Sequence, residues 1–250
     1  MKEFIRDFHK RVAEIDKYFE LVDRIEQLGA FSANSIIFPS GEYTVDSDIQ
    51  KILKSHCYLL LYNLIESSIR NGITAIHDAI LIDELTYRDL SPKMKKIWTL
   101  NDLSKSFRDT YIKKETIANN LQDAIRSVLE NEVVTLDPTN IPISGNLDAK
   151  TIKELIDMYG FYGNLGVPAK EIDDILNFVV KIRCDLAHGN VSFCDASNKI
   201  IWNQSNSNAN NNEKVFRYLI DDKENVVKYL THMLQNIDNY IDNKGYKLSV

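Results

Sequence analysis

Apolar residues at Phe4, Phe8, Val12, Ile15, Phe19, Val22 and Ile25 recur every three or four positions, while Glu14, Lys17, Asp23 and Glu26 fall on the other faces. That period marks an amphipathic helix with one stripe turned to a core. It is expected to end near Gly29, and Phe31 to Val45, with Pro39, Gly41 and β-branched residues, reads as an irregular connection. Asp46 or Ser47 then offers an N-cap, because a short polar side chain satisfies a free backbone N–H. The helix behind it runs through Ile52, Leu53, Leu60, Leu64, Ile65 and Ile69. It is expected to pass Gly72 and reach about Leu85, since one internal glycine costs only about 1 kcal/mol. Ser91-Pro92 supplies a cap and a first-turn proline, and the more polar pattern from there to about Glu132 predicts one short and one long helix.

Asp137-Pro138 and Pro142 to Gly145 form the clearest break, too short for a domain linker. A helix is expected from about Asp148 to Tyr159, followed by the turn GFYGNLG. Pro168 opens the next helix, with Ile172, Ile175, Leu176, Val179, Val180 and Ile182 on one stripe and Gly189 as its stop. Val191 to Phe193 and Lys199 to Trp202 are candidates for a small hairpin after it. The tract Asn203 to Asn212, which has nothing to bury, reads as a mobile loop over about 203–213. A last amphipathic helix spans about Asp222 to Ile241. No internal repeat appears, and the expectation is a single all-α domain over 1–250.

Composition narrows the function classes. A formal charge of −6 and a pI near 5.4 argue against a wrapped, sequence-independent DNA binder. Between Arg88 and Arg126, nine Lys or Arg stand against five Asp or Glu, which fits either solvated helix faces or an RNA-contacting surface. Cys57, Cys184 and Cys194 show neither CxxC pairing nor metal-type histidine spacing, so free thiols in a reducing compartment are expected, with no zinc site. The charged N-terminus MKEFIRDFHK does not read as a signal peptide, and no apolar run approaches 18 residues. A soluble, cytoplasmic protein with no membrane contact, no cofactor and no metal is therefore expected.

The informative segment is KIRCDLAHGN, Lys181 to Asn190. Cutting RNA without a metal requires deprotonating a 2′-hydroxyl, stabilising charge at phosphorus and protonating the 5′-oxygen. Histidine transfers protons near neutral pH, a contribution of about 10²–10⁴-fold. Arginine, forked and permanently charged, suits a phosphate whose charge is redistributing. Five residues of helix turn about 500°, which leaves Arg183 and His188 about 140° apart. Two routes would bring them together: an unwound last turn, or a second subunit facing the first across a symmetric cleft. His188 also lies where the helix dipole favours imidazolium. Spacing alone favours the plainer reading, an Arg183 ion pair with Asp185 or Asp174 and a His188 that caps the last carbonyls.

The segment resembles the RNxLAHG signature of the HEPN superfamily (higher eukaryotes and prokaryotes nucleotide-binding domains), with Arg183, Leu186, Ala187, His188 and Gly189 matching by position. RVAEIDKYFELVDRIE and LLLYNLIESSI also resemble the first helices of stand-alone members, so the resemblance covers most of the chain. It implies a helical bundle that dimerises with two Arg-x4-His motifs face to face. It implies a metal-independent endoribonuclease that leaves a 2′,3′-cyclic phosphate, with Arg183 and His188 as catalytic residues. Toxin–antitoxin, antiviral defence and CRISPR-linked modules are the settings it implies, with an antitoxin or defence-complex partner. One position departs from the pattern: Cys184 stands where a polar residue, commonly Asn, follows the arginine. That departure opens an alternative, a HEPN module that binds RNA or a protein partner and does not cut.

Candidates for supporting roles beside the motif are Cys184, Asp185, Asn63 and Glu66; the last two lie among apolar neighbours on the second helix, where helix packing is the commoner role for a polar residue. His56, His77, His9 and His232 lack ligand-type spacing and read as packed or surface residues. Tyr159, Phe161 and Tyr162 can stack on bases, though core or dimer packing suits them better. GFYGNLG lacks the Gly-Lys-Ser/Thr ending of a phosphate-binding loop, and no strand precedes it. Cys184 and Cys194 have no basic cluster around them beyond Arg183 and do not read as a redox pair.

Overall fold

The computed structural model describes residues 1–28, 35–107, 114–137, 146–202 and 217–248, and the asparagine-rich tract and Pro142 to Gly145 lie outside them. Helix α1 spans Glu3–Leu28, α2 Ser47–Ile82, α3 Pro92–Phe107, α4 Lys114–Leu129, α5 Ala149–Tyr159, α6 Ala169–Ala187, α7 Phe193–Ala196 and α8 Leu219–Asp242. The all-α expectation holds. None of the described helices is long and apolar enough to cross a membrane.

Three local expectations need correction. Part of the stretch read as an irregular connection is a β-hairpin, β1 Ser35–Phe38 against β2 Gly41–Thr44, paired antiparallel from Ser35↔Thr44 to Phe38↔Gly41. A two-residue turn and Gly41 at φ +132° close it, a conformation that costs glycine little. Helices α3 and α4 are each 16 residues long, not one short and one long. After α6, Val191 to Phe193 form no strand. Ser192 caps the one-turn helix α7, accepting from the Asp195 N–H at 3.1 Å. Ile200–Ile201 (β3) instead pairs in parallel with Arg217–Tyr218 (β4), the residues that lead into α8.

The described chain divides into two compact units, with boundaries inside α2 and α8 and between α5 and α6. The first comprises Met1, 3–67 and 166–230. Asp46 opens α2, its carboxylate accepting from the N–H groups of Asp48 and Ile49 at 3.0 and 2.9 Å. The core takes Phe8, Phe19 and Val22 from α1, Cys57, Leu61 and Ile65 from α2, Ile175, Leu176 and Val179 from α6, and Val226 and Leu230 from α8. Burying each such aliphatic or aromatic side chain is worth roughly 1.5–3 kcal/mol. Several polar groups inside are paired. The Tyr58 hydroxyl donates to Asp222 at 2.7 Å, and Arg217 grips the same carboxylate. Burial pushes the Asp222 carboxyl up, opposed by the bonds from Arg217 and Tyr58. The Trp202 indole donates to Asp23 at 2.6 Å.

The second unit comprises Lys2, 68–165 and 231–250. Its core gathers Ile73, Ile76 and Ile80 of α2, Met94 and Ile97 of α3, Ile152, Leu155 and Tyr159 of α5, and Leu234 and Ile237 of α8. Gly72 lets α8 approach α2 closely: a Cβ there would lie 2.7 Å from the end of Ile237. That packing is the reason a glycine stands inside the long helix.

Candidate functional site

The motif lies at the end of α6. Its last turn remains helical through Ala187, with His188 as C-cap at φ −92°, ψ 0°. Gly189 follows at φ +67°. Its N–H donates to Leu186 O at 3.2 Å, and the Asn190 N–H donates to Asp185 O at 2.9 Å. Those two bonds close the terminus as a Schellman motif, and Gly189 supplies the left-handed residue it needs. Of the two routes that would unite Arg183 with His188, unwinding is thus not taken. On a regular helix the two side chains leave at about 140° to each other.

Arg183 is half-buried. Its guanidinium carbon lies 4.8 Å from the ring centre of Tyr62, a cation–π contact with a residue only 3% exposed. Its Nη1 is 4.0 Å from the Cys184 sulfur, a half-buried thiol outside any disulfide. Arg183 also lines a groove of the first unit, together with Leu186 and Ala187 of α6, Leu59 and Asn63 of α2, and Phe193 of α7. The fold therefore brings Asn63, an expected supporting residue, to the same groove as Arg183.

The other expected residues lie elsewhere. His188 is exposed at the helix end and does not line the groove. Asp185 is held by Lys181 at 2.5 Å, and the bond from Lys181, joined by one from Asn190, keeps its carboxyl below the ordinary carboxylate value. It secures the helix end. Glu66, half-buried on α2, is not among the groove residues. Asp174 lies near Arg217, whose charge it helps stabilise.

Three features at or beside the groove escaped the sequence reading. Phe193 forms one wall, fixed by the fully buried Ser55 hydroxyl, which donates to the Phe193 carbonyl at 2.7 Å. His56, exposed on α2, stacks on the Phe193 ring with centroids 5.1 Å apart and planes 13° from parallel. Tyr62 supports the guanidinium from below. One signal was available: His56, Leu59 and Asn63 follow the i, i+3, i+7 spacing of a single helix face.

Tyr159 and Phe161 are buried in the second unit, where they cannot stack on bases, whereas Tyr162 is exposed beneath the Lys93 ammonium at 4.6 Å. Among the described residues, no group of three or more His, Cys, Asp or Glu side chains is placed to hold a metal ion. The chain matches the family described as HEPN_MAE_28990:/-like HEPN over residues 1–246. No curated protein and no solved structure is significantly similar to it. A match over nearly the whole length, to a family of the superfamily that the helix-end motif resembles, decides the question of kinship: the chain belongs to this HEPN family.

Proposed function

We propose that the protein is a metal-independent endoribonuclease of a prokaryotic defence or toxin–antitoxin module, acting as a homodimer. The observation that carries this reading is a guanidinium in an open groove and an exposed imidazole five residues later, at a helix end fixed by a Schellman motif. In the reaction, the ribose 2′-oxygen forms a bond to phosphorus as the bond to the 5′-oxygen breaks. A base takes the 2′-hydroxyl proton and an acid protonates the departing 5′-oxygen. Arg183 stabilises the charge that gathers on the non-bridging oxygens, where its fork is worth most. His188 serves as the acid or base, and two copies facing each other supply both roles, which the 140° separation within one helix does not.

The test is incubation of pure protein with end-labelled RNA in EDTA. Fragments with 2′,3′-cyclic phosphate and 5′-hydroxyl ends are expected, and a 2′-deoxy residue at the cut position should block cutting there. Cutting that needs an added divalent metal, or that proceeds at the 2′-deoxy position, would remove the reading.

A second reading, an RNA-binding HEPN module that no longer cuts, has its own support. Cys184 stands in the position that a polar residue occupies in the superfamily signature, and its sulfur rather than an amide meets Arg183. RNA binding without cleavage at every pH from about 5 to about 9, the range over which histidine titrates, would favour it.

A further inference from the structure

The groove beside Arg183 has more apolar wall than a phosphate needs. Leu59, Leu186, Ala187 and Phe193 surround one guanidinium and one carboxamide, that of Asn63. A charge, a flat apolar wall and a hydrogen-bonding edge together match the three parts of a nucleotide. The phosphate suits Arg183, the π-face suits an aromatic wall, and the base edge suits a side-chain amide that both donates and accepts.

The aromatic wall is built, not incidental. Phe193 sits in a one-turn helix whose backbone is tied to α2 by Ser55, a hydroxyl with no exposure to solvent. His56 then lies almost flat on the Phe193 ring and is itself exposed. An exposed histidine contributes little to a core, so core packing does not account for a two-ring stack at this rim. From His56 through Leu59 to Asn63, one face of α2 carries a ring, an apolar side chain and an amide in succession. The acid closest in sequence to Arg183, Asp185, is committed to Lys181 and Asn190.

We propose that this groove is a nucleotide subsite: Arg183 holds a phosphate, and the base next to it stacks on the Phe193–His56 pair with its edge toward Asn63. The inference rests on the ribonuclease reading for the identity of the strand and adds to it a base-binding platform. His56 acts in it as a positioning residue, through its ring and not through a proton.

Binding separates the parts. Short fluorescein-labelled 2′-fluoro oligoribonucleotides, which cannot be cut, are titrated with the wild-type protein and its variants, beside strands of equal length that carry abasic residues. His56→Ala and Phe193→Ala should each weaken binding of the complete strand about tenfold, the usual scale for one lost base stack. Neither should change binding of the abasic strand. His56→Phe, which keeps a ring and removes the titratable nitrogens, should bind as wild type does. Arg183→Ala should weaken both strands. Because His56 is exposed, its variants will fold even if Phe193→Ala disturbs α7, which circular dichroism would reveal. If His56→Ala binds as tightly as wild type, or if His56→Phe loses as much as His56→Ala, the platform is wrong. That outcome, with Arg183→Ala still weakening both strands, leaves the ribonuclease reading in place. No binding of any strand by the wild-type protein removes both.

Discussion

Two histidines on two helices meet opposite environments. His188 is exposed, presented at the end of α6 by a terminus whose hydrogen bonds are complete. His77 lies inside α2, 3% exposed, with its Nε2 sharing a hydrogen bond with the Tyr159 hydroxyl at 2.9 Å and its ring stacked against the tyrosine. Its Nδ1 is sealed away with no partner among the described residues, and burial pulls the imidazole down to about 4. The same side chain is therefore a structural spacer in one unit and open to solvent in the other. Access, set by where a helix stops, separates them; residue type does not.

Variants sharpen this contrast, beginning with the largest effect. Arg183→Ala should slow single-turnover RNA cleavage by about 10²–10³-fold, the scale of a lost oxyanion donor, and Arg183→Lys should recover little because the fork is gone. His77→Leu should leave the rate per folded molecule unchanged. Equal losses at Arg183 and His77 would erase the distinction between the groove at the end of α6 and the buried histidine.

His77 should appear in stability instead. Its folded value of about 4 lies below the ordinary 6.5, so the unfolded chain binds a proton more readily between those values. The contribution is complete above about pH 6.5 and is lost as pH falls toward 4, by up to about 3 kcal/mol. Urea midpoints at neutral and mildly acid pH, for wild type and His77→Leu, check this: the acid loss should be smaller in the variant. Tyr159→Phe should cost roughly 1–3 kcal/mol, because it leaves the other ring nitrogen of His77 unpaired as well.

The smallest effect belongs to Gly189. No atom lies within 4 Å of a Cβ added there, so Gly189→Ala meets no clash and pays only for a left-handed backbone, about 1 kcal/mol. Gly189→Asn should cost less, since asparagine tolerates that region. Thermal melts of the two variants would show the order, and the reverse order would argue against a strained helix end.

Local signals carried most of the helical fold. The stripe on α6 and its glycine stop could be read directly, as could the Asp46 cap and the passage of α2 through Gly72. What escaped was short or non-local. The hairpin at Ser35–Thr44 has two four-residue strands with no apolar alternation, so its pattern is too weak to separate from a loop. Ile200 finds its strand partner in Arg217 across a long connection, and the Ser192 cap next to the motif outweighs the β-branched residue before it. At the candidate site, the places of Arg183 and His188 at the end of α6 were legible because helix period and glycine stop both act within one segment. Phe193 and His56 were not, because they lie far apart in the chain and only the packing of α7 on α2 brings their rings together.

The central claim is that an exposed imidazole at the end of α6 moves a proton at a phosphodiester. The most direct test is cleavage of end-labelled RNA in EDTA by wild type and by His188→Ala protein with an unchanged circular dichroism spectrum. Cutting by the first and none by the second is expected. Equal cutting by both would contradict the claim.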